Sequence, residues 1–471
     1  MHVTLKNLGI LDYAHFELGD LTLVCGKNNT GKTYATYALF GFLDYLAHGN
    51  INMRSTSKLV TDRDIATLLE FGEATIVIKE CKLILQELES ICSTFKKTSL
   101  SQVFALPGDS FSDADFKISI QEIESALSNA LRNESHKSEV TVNNKLMLSV
   151  TSTRTNGAIL VRLNRAKEQP SPDRLKSLVD MFVFQTCIRA IMPSVFIASA
   201  ERTGAAIFQK DLDLNRNRLV ELLKRDGKKI NPFDLLETST GDYPLPVRCN
   251  IDCTRAWATH VKKKSFIAEK HLDILTDFAD IIGGDYCVKN GELQFIPANP
   301  KKTRLPLIAC SSAVRSMLDV GLYLRHLAKP GDLLMIDEPE LNLHPENQRR
   351  VARLFSRLIN IGIKVYITTH SDYIVRELNL LIMMKTRQQE SHIKEIMQRE
   401  GYKTDELLDF KRVRGYIAKR DKILIPGNRR KTECNTFAPM DITAESGLYV
   451  EAFDDTLDQM NRAHDDIIWG E

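Results

Sequence analysis

The sequence predicts an α/β fold with a mixed β-sheet core, in which short apolar strands end in polar turns that carry chemistry. Three stretches predict it. Leu21-Thr22-Leu23-Val24-Cys25 is an apolar run followed by Gly26-Lys27-Asn28-Asn29-Thr30-Gly31-Lys32-Thr33 and then by a helix-compatible stretch. Leu333-Leu334-Met335-Ile336 is fully apolar, the pattern of a strand buried on both faces of a parallel sheet, and it ends in Asp337-Glu338-Pro339-Glu340. Lys364-Val365-Tyr366-Ile367-Thr368-Thr369 is a third such run, ending in His370-Ser371 and lying across an Arg349 to Asn360 helix, as a doubly wound sheet requires.

The first turn fits the pattern G-x-x-x-x-G-K-[ST]. Its glycines let backbone N–H groups wrap phosphates, Lys32 is placed to reach the β and γ oxygens, and the Thr33 hydroxyl is a Mg²⁺ ligand. The following helix adds its positive N-terminal end to the same anion site. ATP or GTP is the ligand implied, with Gly26, Lys27, Asn28, Asn29, Thr30, Gly31, Lys32 and Thr33 as candidate binding residues. At the second strand, Asp337 is the candidate to hold Mg²⁺, directly or through water, and Glu338 the candidate to polarise an attacking water. His370 beside a γ-phosphate could hydrogen-bond both the phosphate and that water.

On these residues the chain resembles the ATP-binding cassette heads of the SMC, RecF and OLD-like ATPase class. Gly26 to Thr33 stands as Walker A, Leu333 to Glu338 as Walker B, and Thr369-His370-Ser371 as the switch-histidine loop. The run Asp337-Glu338-Pro339-Glu340-Leu341-Asn342-Leu343-His344-Pro345 is especially similar to the D-E-P-E-x-x-L-H-P run of OLD-like ATPases. The resemblance implies a P-loop NTPase of ABC-ATPase head type, with ATP and Mg²⁺ as cofactors and an N-terminal antiparallel β lobe to which Leu5 to Ile10 contributes the first strand.

The resemblance also implies a signature helix before Walker B, whose N-terminus binds the γ-phosphate held by an opposite head. Cys310 to Ser316 occupies that place; Ser311 and Ser312 are the candidate contacts, and Ala313 narrows the approach where the class has glycine. Hydrolysis would then need two heads, hence a homodimer or larger even homo-oligomer. Val195 to Gly204 is similar to the strand and P-A-x-R-[ST]-G loop of bacterial members, with Ser199 in place of proline. Arg202 in that loop could reach phosphate in cis, contact the facing subunit, or sit in an ordinary surface turn. A Q-loop glutamine has no clear counterpart; Gln209 is the nearest.

At 471 residues, with 43% apolar residues, the chain is long enough for two or three domains with a substantial core. It has no uninterrupted apolar stretch of the roughly 18 residues that cross a bilayer, and Met1 to Lys6 lacks the charged segment and apolar core of a secretion signal. No membrane partner and a cytoplasmic location are expected. The nine cysteines are scattered and odd in number, the usage of reduced, mostly buried thiols. A net charge of +2 excludes an indiscriminate polycation, although the local runs Lys262-Lys263-Lys264, Lys301-Lys302, Lys419 to Lys422 and Arg429 to Lys431 leave nucleic-acid contact open.

Four segments are expected: residues 1–50 as the head's N-terminal part with Walker A, 51–190 as a compact helical and β insertion, 191–380 as its C-terminal part, and 381–471 as an extension that could dock an effector or complete the head. Within the insertion, Ile65 to Lys97 and Ile118 to Arg132 read as helix, and Leu146 to Val150 with Ile159 to Leu163 as a hairpin. Tyr286 to Phe295 alternates across Asn290-Gly291, a two-residue hairpin signal, and Phe453 to Trp469 reads as a terminal amphipathic helix. OLD-type nucleases need an Asp-x-Asp pair after the switch histidine, and the sequence beyond His370 has none. Together these imply an ATPase subunit like those of bacterial antiphage systems of Septu, retron and PARIS type, working with a separately encoded nuclease or toxin. The alternative is a RecF-like repair ATPase that clamps DNA directly.

Overall fold

The computed structural model describes residues 1–48, 59–78, 80–133, 137–142, 145–153, 157–164, 171–207, 243–289, 291–299, 303–448 and 451–470. In chain order its strands are β1 (His2–Leu8), β2 (Leu11–Glu17), β3 (Leu21–Gly26), β4 (Glu73–Ile76), β5 (Asp115–Ser119), β6 (Lys137–Val142), β7 (Lys145–Ser152), β8 (Ile159–Leu163), β9 (Val195–Ala198), β10 (Gly284–Lys289), β11 (Glu292–Pro297), β12 (Leu305–Pro306), β13 (Leu333–Asp337), β14 (Lys364–Thr369), β15 (Val413–Ile423) and β16 (Thr432–Pro439). The chain forms two compact units: Leu5–Gly41, Leu100–Asp115 and Val195–Glu471 make the larger, and Met1–Thr4, Phe42–Ser99 and Phe116–Ser194 the smaller.

The larger unit is built on a mixed sheet whose order runs β1-β2-β16-β15-β3-β14-β13-β9. From β15 to β9 every neighbour is parallel. The ends of β9, β13, β14 and β3 therefore lie along one edge, the carboxyl edge where open α/β sheets bind ligands. Apolar runs make these strands because both faces are covered: every residue of β13 is buried, as is β14 from Val365 onward. The helix Pro345–Asn360 links them, burying Val351, Leu354, Phe355 and Leu358 on one stripe at helical spacing. It starts where His344 caps it, Nδ1 accepting from Glu346 N–H at 3.3 Å, with Pro345 at its first position.

Of the two courses expected for the segment after residue 380, docking an effector or completing the head, the sheet takes up the second. β15 lies inside the sheet, parallel to β3 from Val413 opposite Leu21 to Ala418 opposite Gly26, and antiparallel to β16 on its other side. The sheet is thus completed by residues well beyond His370. A helix at Glu451–Trp469 comes after it, over the stretch where the sequence predicts one.

In the smaller unit an antiparallel sheet runs β4-β8-β7-β6. The helix expected over Ile65 to Lys97 is two helices, Asp62–Phe71 and Cys81–Thr98, with β4 between them. Gly72 causes the break: it closes the first helix in the left-handed region at φ 79°, and the chain leaves as β4, paired with β8. The first helix is opened by a capping box in which Thr61 and Asp64 exchange side-chain and backbone hydrogen bonds. Likewise Ile118 belongs to β5, and the helix begins at Ile123. The hairpins are as expected: β7 pairs with β8, and β10 with β11 across the two-residue link, with Gly291 at φ 78°. Among the described residues no helix is long and apolar enough to cross a membrane, and six of the nine cysteines are buried.

Candidate functional site

β3 delivers the glycine-rich turn onto the carboxyl edge. Gly26 has φ 138° and an added Cβ would lie 2.2 Å from Ala418 O; Gly31 has φ 92° and would meet Leu11 Cβ at 2.7 Å. Both positions demand glycine, because the turn is wedged against neighbouring strands. The helix Lys32–His48 starts at the turn's end, with Ala35 N–H donating to Gly31 O at 3.1 Å. Lys32 folds back over the turn, and its Nζ donates to Gly26 O at 3.0 Å and Lys27 O at 2.7 Å. Burial draws its pKa down, against the opposing pull of Asp337 and Glu338.

β13 brings Asp337 to the same edge. Its Oδ2 accepts from Thr33 Oγ1 at 3.4 Å and its Oδ1 from the hydroxyl of Thr368, the register partner on β14. Burial pushes the Asp337 carboxyl up to about 6, with Thr368 pulling the other way and Glu338 adding to the rise. The chain turns sharply at Glu338, a non-glycine residue at φ 52°, whose N–H donates to Thr368 O at 3.1 Å. That backbone region is costly for a residue with a Cβ, and such strain clusters at functional sites. The Glu338 carboxylate, about one-third exposed, has Oε1 3.7 Å from His370 Nε2.

β14 carries the histidine. Burial lowers the His370 pKa, and Lys32 lowers it further, so the ring is neutral at pH 7 and can accept at one nitrogen while donating at the other. Its main chain is fixed by Glu340, whose Oε1 accepts from His370 N–H at 2.6 Å and whose Oε2 accepts from Thr369 Oγ1 at 2.8 Å. The Glu340 carboxyl is itself raised by burial. Ser371 then caps the helix Asp372–Thr386 and donates to Gln348 Oε1 at 2.5 Å.

Sequence reasoning gave no role to Glu340, although it lies in the quoted acidic run, nor to Thr368. It also missed Tyr37, whose hydroxyl donates to Glu201 Oε2 at 2.7 Å beside the β9 loop. Ser311 caps the short helix Ser312–Ser316 by accepting from Val314 N–H at 3.3 Å, and the Ser312 hydroxyl accepts from Arg315 at 3.3 Å. Arg202 is placed otherwise than a surface turn or a phosphate contact would require. It is 1% exposed, and its guanidinium points inward onto backbone carbonyls. Gln209 lies outside the described residues.

The Thr33 hydroxyl and the Asp337 carboxylate are hard oxygen donors facing each other across the turn, a donor set that fits Mg²⁺ better than a softer transition metal. With a main-chain cradle, a buried lysine, two adjacent carboxylates and a neutral histidine on one edge, the site has the parts of phosphoryl transfer to water.

Residues 250–375 match the AAA_15 family, an AAA ATPase domain. The matched stretch holds Asp337, Glu338 and His370, and also Ser311 and Ser312. No curated protein matches the chain. Among solved structures, the chain is similar to an SMC head bound to the C-winged helix domain of ScpA, at 13% identity over 80% of this chain and 91% of that one, with a TM-score of 0.29. It is similar to the SMC head domain from Thermotoga maritima at 10% identity over 94% and 98%, with a TM-score of 0.29. An SMC head with an extended coiled coil, bound to the C-terminal domain of ScpA derived from Pyrococcus furiosus, gives 12% over 80% and 90%, again with a TM-score of 0.29. The strand order and the glycine-rich turn, rather than these distant likenesses, make the chain a mixed α/β fold with a P-loop-type turn on its carboxyl edge, and residues 250–375 are similar to an AAA ATPase domain.

Proposed function

We propose that the chain is an ATP-binding and ATP-hydrolysing switch subunit of a bacterial antiphage defence complex, pairing two heads around ATP and Mg²⁺ to hold or release a separately encoded nuclease or toxin. The observation that carries the hydrolytic reading is the meeting of Thr33 with Asp337, and of Glu338 with His370, on one sheet edge. The N–H groups of Gly26 to Thr33 bind the phosphates, and Lys32 exchanges its bonds to Gly26 O and Lys27 O for phosphate oxygens. Thr33 and Asp337 would hold Mg²⁺, which would supply Lewis-acid stabilisation of the phosphoryl charge. Glu338 orients and deprotonates the attacking water, while neutral His370 bridges water and γ-phosphate. Ser311 and Ser312 present the short helix to the facing head.

What supports a separate effector is that residues 413–423 and 432–439 enter the sheet of β3 as β15 and β16 rather than forming a module of their own. A RecF-like DNA clamp is the second reading, favoured by the exposed runs Lys262-Lys263-Lys264 and Arg429-Arg430-Lys431. In a third run, Lys419 to Lys422, ion pairs of Lys419 with Asp421 at 2.9 Å and Arg420 with Glu433 at 3.4 Å offset part of the basic charge. The deciding experiment is to purify the protein with its native neighbours, weigh the complex with ATP and Mg²⁺, and identify what co-purifies. An even-numbered assembly carrying a nuclease or toxin is the expected result. A bare dimer that recovers only DNA, with ATP turnover stimulated by DNA and steeply reduced by salt, replaces it with the clamp.

A further inference from the structure

Arg202 is the largest fully buried side chain of the described residues, at 1% exposure, yet the hydrolytic chemistry above makes no use of it. Burying a guanidinium is expensive unless its donors are met. Here they are met by main-chain oxygens from three separate places: Nε donates to Ser316 O at 2.6 Å, Nη1 to Ser199 O at 2.8 Å and Asp337 O at 2.7 Å, and Nη2 to Glu338 O at 2.8 Å. One planar fork therefore joins the β9 loop, the end of the short helix Ser312–Ser316, and the left-handed turn at Glu338. Asp319, 3% exposed on the adjoining helix Leu318–Leu322, is the carboxyl that most opposes the effect of burial on the Arg202 guanidinium. A second tie runs in parallel, from Ser316 Oγ to Leu341 O at 3.1 Å, on the far side of the same turn. Ser199 replaces the proline of related loops, and the N–H it adds is met by Asn250 Oδ1 at 3.0 Å, so the loop keeps its place.

We propose that Arg202 is a positioning residue which locks the strained main chain at Glu338 to the Ser312–Ser316 helix, so that displacement of that helix moves the candidate base with it. Among the described residues the carboxylate of Glu338 meets His370 Nε2 at 3.7 Å and is not held by short hydrogen bonds as Asp337 and Glu340 are, so its aim is set by its backbone. Only a guanidinium reaches the carbonyls of Ser316, Asp337 and Glu338 at once, because its donors are fixed in one plane, whereas an ammonium is a point donor on a flexible stem.

The inference rests on the hydrolytic reading for its consequence in turnover, but not for the mechanical coupling, and the test separates the two. Wild type, Arg202→Lys, Arg202→Met and Ser316→Ala are compared by steady-state ATPase assay and by hydrogen–deuterium exchange over residues 312–318 and 337–343. Arg202→Lys is expected to lower kcat by about 30- to 100-fold with KM within about 3-fold, because misplacement of a base costs rate rather than binding. In wild type the two segments exchange together; in Arg202→Lys both exchange faster and at separate rates. Arg202→Met repeats this with a larger loss. Should both Arg202 variants fail to fold, Ser316→Ala decides, since it removes the hydroxyl shared between Leu341 O at 3.1 Å and Ala313 O at 3.0 Å and leaves the guanidinium in place: about 3- to 10-fold in kcat and faster exchange over 337–343 are expected. A kcat within 3-fold of wild type in Arg202→Lys, or unchanged exchange over 337–343 in a folded variant, overturns the proposal. If wild type turns over no ATP, the hydrolytic reading fails and the exchange data alone decide the coupling.

Discussion

The two halves of the candidate site are held in different ways. The turn Gly26 to Thr33 is shaped by main chain: two glycines at positive φ are pressed against Ala418 O and Leu11, and the long side chain of Lys32 bonds to the turn's own carbonyls. The end of β13 and β14 is shaped by side chains: Thr33 and Thr368 on Asp337, Glu340 on His370, Arg202 on the carbonyls of Asp337 and Glu338. The first half should fail sterically and be indifferent to pH. The second should tolerate isosteric replacement in its fold, and respond to charge.

The largest effect is expected where sterics rule. Gly26→Ala puts a methyl 2.2 Å from a backbone oxygen at φ 138°, and backbone strain and overpacking together should cost roughly 4 kcal/mol. Chemical denaturation would measure it. Gly204→Ala is the matched control, because nothing lies within 4 Å of its Cβ, and it should stay within about 0.5 kcal/mol of wild type. Equal stability of the two variants would remove the steric account of the turn.

Glu338→Gln tests the other half by changing charge at constant shape. Turnover should fall about 10²- to 10³-fold, the range for loss of a general base, with ATP affinity retained and a dimer trapped in ATP, read by single-turnover kinetics and size-exclusion chromatography. A nucleotide-gated scaffold, with negligible turnover, would be unmoved by this change, and so would refute the hydrolytic role.

Asp337 sharpens the contrast through pH. Its carboxyl is raised from 3.8 to about 6 in the fold, so between those values the folded state holds more protons than the unfolded one. Stability from this group is complete below about pH 4, declines as pH rises towards 6, and is lost above it, a cost of at most about 3 kcal/mol at neutral pH. Glu340, also raised by burial, adds to the same slope. Asp337→Asn should therefore be more stable than wild type at pH 7.5, by about 1–3 kcal/mol, with a flatter profile from pH 4 to 6 and no ATP turnover. Urea unfolding at pH 5 and 7.5 measures this, and a variant less stable than wild type at pH 7.5 would contradict the cost assigned to the buried carboxylate.

The same division explains what the sequence could disclose. The turn is local, so an eight-residue pattern names every residue in it, and β13 and β14 announce themselves because burial on both faces leaves no polar residue until each strand ends. β15 gave no such sign. It sits deep in the sheet, yet only Val413, Gly415, Tyr416 and Ala418 are buried, and Arg414, Lys419, Arg420, Asp421 and Lys422 break any apolar run. The direction of Arg202 was also illegible, since it depends on carbonyls 114 to 136 residues away in the chain. Gly72 stops the first helix, while the apolar residues on either side of it keep a spacing that runs on past the stop.

The smallest effect should come from Glu340→Gln, and its smallness is informative. Glu340 holds two groups, the His370 N–H at 2.6 Å and the Thr369 hydroxyl at 2.8 Å. A glutamine can keep the first through its carbonyl oxygen and meet the second as a donor, because a threonine oxygen that already accepts from Ser371 N–H at 2.9 Å has a further lone pair. The substitution also removes a buried charge whose ionised form is disfavoured there. Loss of charge-assisted strength and relief of desolvation therefore oppose each other, and the net change in stability should lie within about 1 kcal/mol of zero. Turnover should fall only about 2- to 5-fold, since His370 keeps its backbone anchor. A loss beyond 30-fold in kcat, with stability unchanged, would mean that the Glu340 charge acts on the reaction itself rather than on the placement of His370, and would add a third carboxylate to the chemistry of this edge.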